Sequence, residues 1–181
     1  MGAERVVLEA ADGAVLECDP PFPPMAGAGT YEGLHVASLL EHVRRERVVG
    51  VLLVRLGGHA AGVFAGRRLV ASKVDSRLVH GRHRAGGSSQ RRFERRREGQ
   101  ARQALEAAAD VAARILLPHV ADLDAVVAGG DRRALAAVLE DRRLAPLRRL
   151  LAERVLDVPD PRLDVLRSTP DRFLATELRV R

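Results

Sequence analysis

The densest group of residues able to do chemistry lies between Lys73 and Arg97, in the run KVDSRLVHGRHRAGGSSQRRFERRR. Its centre, Ala85-Gly86-Gly87-Ser88-Ser89-Gln90, carries neither charge nor bulk. His80, Arg82, His83 and Arg84 stand on one side of it, and Arg91, Arg92, Arg95, Arg96 and Arg97 on the other. Guanidinium forks keep their charge and match phosphate oxygens in pairs, so this collar suits the backbone of a nucleic acid. Two adjacent glycines admit backbone conformations and close approaches that a Cβ would obstruct, so the neutral tip suits intimate contact or chemistry. Two plainer readings stand beside this one. A run of charge can be a solvated helix face, and Ser88 or Ser89 can cap a helix beginning near Gln90, a role compatible with chemistry at the tip.

Other constellations are poorer. His80 and His83 are three residues apart with no third ligand at useful spacing, so no metal is expected. Gly57-Gly58 and Gly129-Gly130 follow apolar runs without a GxGxxG or P-loop lysine pattern; they read as turns, and no nucleotide cofactor is expected. Ser38, Ser72 and Ser76 lack a nucleophile-elbow context. Asp75 suits orienting Arg77 or a loop amide, and Asp110, Asp122, Asp124 and Asp131 make no evident two-metal cluster. Cys18 is the single cysteine, which excludes a disulfide within the chain and fits a reducing cytoplasm. The N-terminal MGAERVVLEAADG has no apolar core of a leader, and no apolar run reaches the about 20 residues a membrane helix needs. Aromatic residues make up 3% of the chain, too few for an extended stacking platform, which points to contact with phosphates or with folded RNA shape.

The length of 181 residues and 46% hydrophobic content fit one globular domain spanning residues 1–181. A net charge of +6 arises almost wholly from arginine, Lys73 being the one lysine. Placement matters more than the total. Nine arginines fall between Arg77 and Arg102 against Glu94 and Glu98, with Asp75 just before them, while Leu116 to Glu140 is neutral or acidic.

The elements that must position this run follow from periodicity. Val6 to Glu9 and Ala14 to Cys18 around Asp12-Gly13 predict an opening hairpin. The proline- and glycine-rich Asp19 to Thr30 predicts a loop, and Leu34, Leu39, Leu40 and Val43 a helix over about Tyr31 to Arg47. VVGVLLVRL, HAAGVFA and RLVASKVDSR, punctuated by Gly57-Gly58 and Gly66-Arg67, predict a three-stranded antiparallel meander whose last strand leads to His80. From Gln90 an apolar three- and four-residue recurrence through Phe93, Ala101, Ala104, Leu105, Ala108, Val111, Ala112, Ile115 and Leu116 predicts a helix stopped by Pro118. Its stripe should lie on the sheet, with the arginines turned to solvent. Asp124 to Ala128 reads as a buried strand and Arg132 to Arg142 as a helix. A short helix near Leu147 to Ala152, a strand at Arg154 to Asp157, a helix opening at Pro161 and a strand near Leu174 to Val180 complete an α/β fold around one mixed sheet.

Lys73-Val74-Asp75, His80-Gly81-Arg82, Gly86-Gly87, Gln90, Arg92-Phe93 and Arg95-Arg96-Arg97 together resemble the central catalytic domain of eukaryotic and archaeal class-I release factors. There a Gly-Gly-Gln loop precedes a helix that opens with a similar Arg-Phe-x-Arg run. The wording GGSSQRRFERRR is closer still to the bacterial branch of the Vms-like release factor (VLRF) family of peptidyl-tRNA hydrolases. The resemblance covers roughly Leu34 to Arg142. Ser88 and Ser89 stand between the glycines and Gln90 where class-I factors have no residues; the Vms-like branch has a modified spacing here.

The resemblance implies a release-factor catalytic-domain fold and hydrolysis of the ester joining a nascent peptide to tRNA, without a stop codon and without a cofactor. Gln90, Gly86 and Gly87 would be catalytic, supported by Ser88 and Ser89. The arginines with His80 and His83 would hold RNA. A glutamine amide does not titrate, so Gln90 would orient water and stabilise an oxyanion rather than act as a general base. The large ribosomal subunit and peptidyl-tRNA would be the partners of a cytoplasmic monomer. A non-catalytic ribosome- or tRNA-binding factor of the same fold is the alternative, and a metal-dependent nuclease a more distant one.

Overall fold

The computed structural model describes the backbone of residues 2–55, 58–76 and 90–181, and the side chains of 2–55, 58–75 and 99–181. In chain order, β1 (Val6–Glu9), β2 (Val15–Asp19) and α1 (Ala37–Arg44) come first. β3 (Val48–Arg55), β4 (Gly58–Ala65), β5 (Arg68–Ser76), α2 (Gln90–Leu116) and β6 (Ala125–Gly130) follow. The chain continues through α3 (Arg132–Leu139), α4 (Ala145–Arg148), β7 (Leu151–Leu156), α5 (Leu163–Arg167), α6 (Pro170–Phe173) and β8 (Glu177–Val180). Its contacts divide it into two compact units, Arg47–Ser168 on the one hand and Met1–Glu46 with Thr169–Arg181 on the other.

The larger unit is built on a five-stranded mixed sheet of order β5-β4-β3-β6-β7. β3 to β5 form the expected antiparallel meander, while β6 and β7 join it in parallel. Val49 and Val51 to Val54 are all buried, and so are Gly58 to Phe64. Burial on both faces explains why these strands read as continuous apolar runs rather than alternating ones. Val48 at the start of β3 is locked to the start of β6: its N–H donates to Asp124 Oδ2 at 2.8 Å, and its carbonyl accepts from Asp124 N–H at 2.9 Å.

α2 packs on β4 and β3 through a face of small residues. Ala108, Ala109, Val111, Ala112 and Leu116 are buried in one core with Leu52, Val54, Val63 and Val126. Gly50 makes the closest approach possible, because a Cβ there would meet Leu116 Cδ2 at 3.3 Å and Leu123 Cδ1 at 3.1 Å. Pro118 ends α2 as expected, the chain tightening into a 3-10 turn over Leu117–His119.

Several expectations need correction. Gly129-Gly130 is not a turn beyond the strand but the last pair of β6, hydrogen-bonded opposite Leu53 and Val54. Gly130 has φ +106, and a Cβ there would lie 2.2 Å from Val54 O, so only glycine lets β6 pass β3 at this point. The predicted helix from Tyr31 to Arg47 shrinks to α1. Gly33 at φ +78 interrupts it, Val36 offers no capping oxygen, and Arg45 has already turned to ψ 120. α3 stops at Leu139, and β7 begins at Leu151, where a helix had been expected.

The final strand does not join the main sheet. β8 pairs with β2 in a separate three-stranded sheet, β1-β2-β8, so the fold holds two sheets instead of one. Within this smaller unit, Glu17 stands opposite Arg179 and its side chain is nearly buried among Arg5 (3.2 Å), Arg181 (3.3 Å) and Arg179 (3.8 Å). Asp19 accepts both Arg5 and Arg179, and the Arg5 guanidinium holds its carboxyl below the usual range. Such cross-strand ion pairing ties β8 to β2 where little apolar surface is available.

Candidate nucleic-acid interface

β5 is an edge strand of the five-stranded sheet, and Lys73, Asp75 and Ser76 stand opposite Ala61, His59 and Gly58 of β4. Pairing thus carries the chain under firm support up to residue 76. Residues 77–89 lie outside the described residues, and with them His80, Arg82, His83, Arg84, Gly86, Gly87, Ser88 and Ser89, including the serine-cap reading. Gln90 is the first residue of α2, where the spacing places the start of the helix. Arg91, Arg92, Arg95, Arg96 and Arg97 follow in its first turns, with side chains outside the described residues.

What the helix does along its length is plain from Gly99 onward. Residues 99–103 are all exposed, and burial begins at Ala104 and Leu105. Ala101, expected on the buried stripe, is therefore in solvent. The reason is one of length. Leu116 lies over Gly50, and Ala104 to Leu116 spans about 18 Å at a rise of about 1.5 Å per residue. Gly50 to Arg55, the rest of β3, spans about 17 Å. The cover of β3 ends near Ala104, and residues 99–103 lie exposed beyond it. A helix whose first turns are dense in arginine, and which is exposed over residues 99–103, suits contact with an extended polyanion.

The packed half of α2 is clasped from the side. Arg143 Nη2 meets Asp110 Oδ1 of α2 at 2.8 Å and Asp141 Oδ2 at 2.7 Å, and Arg143 Nε donates to Asp141 Oδ1 at 3.0 Å. Asp141 also accepts the Arg143 backbone N–H at 2.9 Å. These donors, the guanidinium first, pull the Asp141 carboxyl down to about 2, while the Asp141 carboxylate, and after it Asp110, pushes the Arg143 guanidinium up. Exposed pairs of this kind contribute little individually, but a bidentate carboxylate sharing one arginine with a second acid fixes orientation. The sequence reading left Asp110 as a scattered acid; the Asp141-Arg142-Arg143 triplet was the available signal that a local clasp lay nearby.

The other acids singled out earlier serve the fold. Asp124 joins β3 to β6, and Asp131 caps α3, accepting Arg133 N–H and Ala134 N–H at 2.8 and 2.9 Å. No group of three His, Cys, Asp or Glu side chains able to hold a metal occurs among the described residues. No helix among them is long and apolar enough to cross a membrane. Cys18 is buried, and burial pushes its thiol up, away from the reactive thiolate.

Known proteins with related sequences now bear on the arrangement. The Actinobacteria/chloroflexi VLRF1 release factor model, acVLRF1, matches residues 47–179. Peptide chain release factor subunit 1 of Methanopyrus kandleri is 29% identical over 152 residues, covering 84% of this chain and 33% of that protein. Its counterpart from Archaeoglobus fulgidus is 27% identical over 113 residues, covering 62% and 28%. The chain therefore spans about a third or less of the length of these relatives. Among solved structures, the archaeal translation termination factor aRF1 aligns with a TM-score of 0.52 and 21% identity over 87% of this chain and 46% of that one, a likeness of fold. The expected release-factor type of α/β fold is met. Since the family model takes in the meander, the Gly-Gly run, all of α2 and the elements after it, the chain belongs to the actinobacterial and chloroflexi VLRF1 release factor family.

Proposed function

We propose that the chain is a ribosome-dependent peptidyl-tRNA hydrolase that frees nascent peptides from stalled or obstructed ribosomes independently of a stop codon. The observation that carries this reading is the run Gly86-Gly87-Ser88-Ser89-Gln90 set directly before an arginine-rich helical arm, in a chain of a release factor family. Gln90 would orient the attacking water and stabilise the oxyanion of ester hydrolysis, with Gly86 and Gly87 giving the backbone access and Ser88 and Ser89 supporting the turn. Arg91, Arg92, Arg95, Arg96 and Arg97, together with His80, Arg82, His83 and Arg84, would hold the tRNA acceptor end or ribosomal RNA. The partners are the large ribosomal subunit and peptidyl-tRNA, met by a monomer in the cytoplasm without a cofactor. On this reading residues 1–181 act as one release-factor-like domain, with residues 1–30 as its N-terminal hairpin and loop and 80–90 as its catalytic loop.

The Ser88-Ser89 insertion favours a second reading, a factor that binds the ribosome or tRNA and has lost hydrolysis. The deciding experiment is release of a labelled nascent peptide from peptidyl-tRNA on stalled ribosomes or large subunits, comparing wild type with Gln90→Ala at matched ribosome binding. Release by the wild type alone supports the hydrolase. Binding by both with release by neither supports the non-catalytic factor, and equal release by both removes Gln90 from the mechanism.

A further inference from the structure

Strand direction decides which parts of the chain meet at each end of the sheet. β3 is antiparallel to β4 and β4 to β5, whereas β3 and β6 are parallel. The carboxyl ends of β3, β5 and β6 therefore share one end, the end from which the chain departs toward residues 77–89. β6 finishes there in Gly129-Gly130, and α3 opens at once with Arg132 and Arg133. The Asp131 N–H donates to Val54 O at 2.8 Å and fixes the start of α3 beside the last residues of β3.

Two helices thus begin with a pair of arginines and no acid in the first turn: Arg91-Arg92 on α2 and Arg132-Arg133 on α3. Cations at this terminus oppose the helix macrodipole, so the placement works against helix stability. The fold offers Arg132 and Arg133 no compensation. Both are exposed, and among the described residues neither guanidinium has an ion pair or hydrogen bond. The adjacent Asp131 carboxylate is engaged by backbone N–H groups. Arg55 at the end of β3 adds a third cation, held loosely at 3.7 Å by Asp157, whose side chain is 98% exposed. Asp75 is the exposed acid of β5 on this end.

We propose that Arg132 and Arg133, aided by Arg55, form a second RNA contact that grips the sugar–phosphate backbone at the end of the sheet where β3, β5 and β6 finish. The inference rests on the ribosome-binding part of the proposed function and extends it to a surface outside the glycine loop and α2. The N–H groups of Arg133 and Ala134 are taken by the Asp131 cap, so the site rests on the exposed, unpaired arginine side chains, whose charge and forked donors suit phosphate in a way an uncharged partner would not exploit. The contact is electrostatic, so it must appear in the salt dependence of binding.

The test is a titration of purified large ribosomal subunits at several KCl concentrations with wild type, Arg132→Gln/Arg133→Gln and Arg132→Glu/Arg133→Glu, with thermal unfolding of each. The glutamine pair should weaken binding by about 10-fold at low salt and reduce the slope of log K against log salt by about 1 to 2. The glutamate pair should weaken it further while leaving the thermal midpoint equal or higher, because acids suit a helix N-terminus. Unchanged affinity and slope in both pairs, with wild type bound, would overturn the second contact alone. Failure of the wild type itself to bind would remove this inference and the ribosome-dependent reading together.

Discussion

From Ala104 to Leu116, α2 is a packing element: its small and branched residues lie in the core over Gly50, Val63 and Val126, and Arg143 clasps it through Asp110. From Gln90 to Gln103 the same unbroken helix runs on, its residues 99–103 are exposed, and its first turns carry Arg91, Arg92, Arg95, Arg96 and Arg97 in sequence. One helix therefore serves two ends. Packing sets the direction in which the arm points, and the arm contributes charge without burdening the core. If that division is correct, changes in the two halves must separate cleanly, one set acting on function at constant stability and the other on stability first.

The largest separation is expected at the tip of the arm. Gln90→Ala should lower peptide release at least about 100-fold, the scale of losing one oriented donor at a developing oxyanion. Bulky replacements at Gly86 or Gly87 should do the same, and thermal midpoints should not move. A Gln90→Ala protein that unfolds earlier and releases normally would break the comparison at its first step. In the packed half the reverse holds. Leu116→Ala removes a fully buried side chain wedged over Gly50 and should cost about 2–5 kcal/mol of unfolding free energy by chemical denaturation. Residual release per folded molecule should stay near wild type.

Smaller effects sharpen the boundary. Arg95→Gln/Arg96→Gln should weaken binding to large subunits several-fold and flatten the slope of log K against log salt by up to about 1 for each arginine that contacts a phosphate, with no loss of stability. Asp131→Ala removes the cap that accepts Arg133 N–H and Ala134 N–H, and should cost about 1 kcal/mol, read by denaturation. Because α3 packs against the buried half of α2, this loss belongs with the stability class.

How much of this was readable beforehand depends on whether the cause was local. β3 and β4 announce themselves as β-branched or small apolar runs because they are buried on both faces, and α2 because its core half repeats at helical spacing. The end of that packing was not readable. Ala101 continues the stripe in sequence, and only the length of β3 reveals that no sheet lies beneath it. The pairing of β8 with β2 depends on residues some 160 positions apart and on the arginine–carboxylate network around Glu17, so periodicity assigned the strand to the wrong sheet. Gly129-Gly130 carries turn composition, yet the close passage of Val54 O is what requires glycine there. The candidate site itself was legible as wording and as the junction of a strand with a basic helix, since both flanks obey local rules. The Arg143 link to Asp110 was not, because it spans elements distant in sequence.

The smallest effect concerns that link and is resolved by pH. Asp141, held at about 2 by Arg143 against an unfolded value near 4, stabilises the fold fully above about pH 4, and this contribution fades as pH falls toward 2. Asp141→Asn should therefore lower stability slightly at neutral pH and flatten the acid limb of the stability curve between about 4 and 2. The carboxylate is exposed, so the change should be smaller than that of Asp131→Ala and should shrink in salt. Release activity at neutral pH should hold, since Asp141 acts on the packed half of α2 and not on its arm. A mutant whose acid limb is unchanged would mean that Arg143 is oriented by Asp110 alone; one that keeps its stability but loses ribosome binding would show that the clasp sets the direction of the arm, and would join the two halves that the other variants separate.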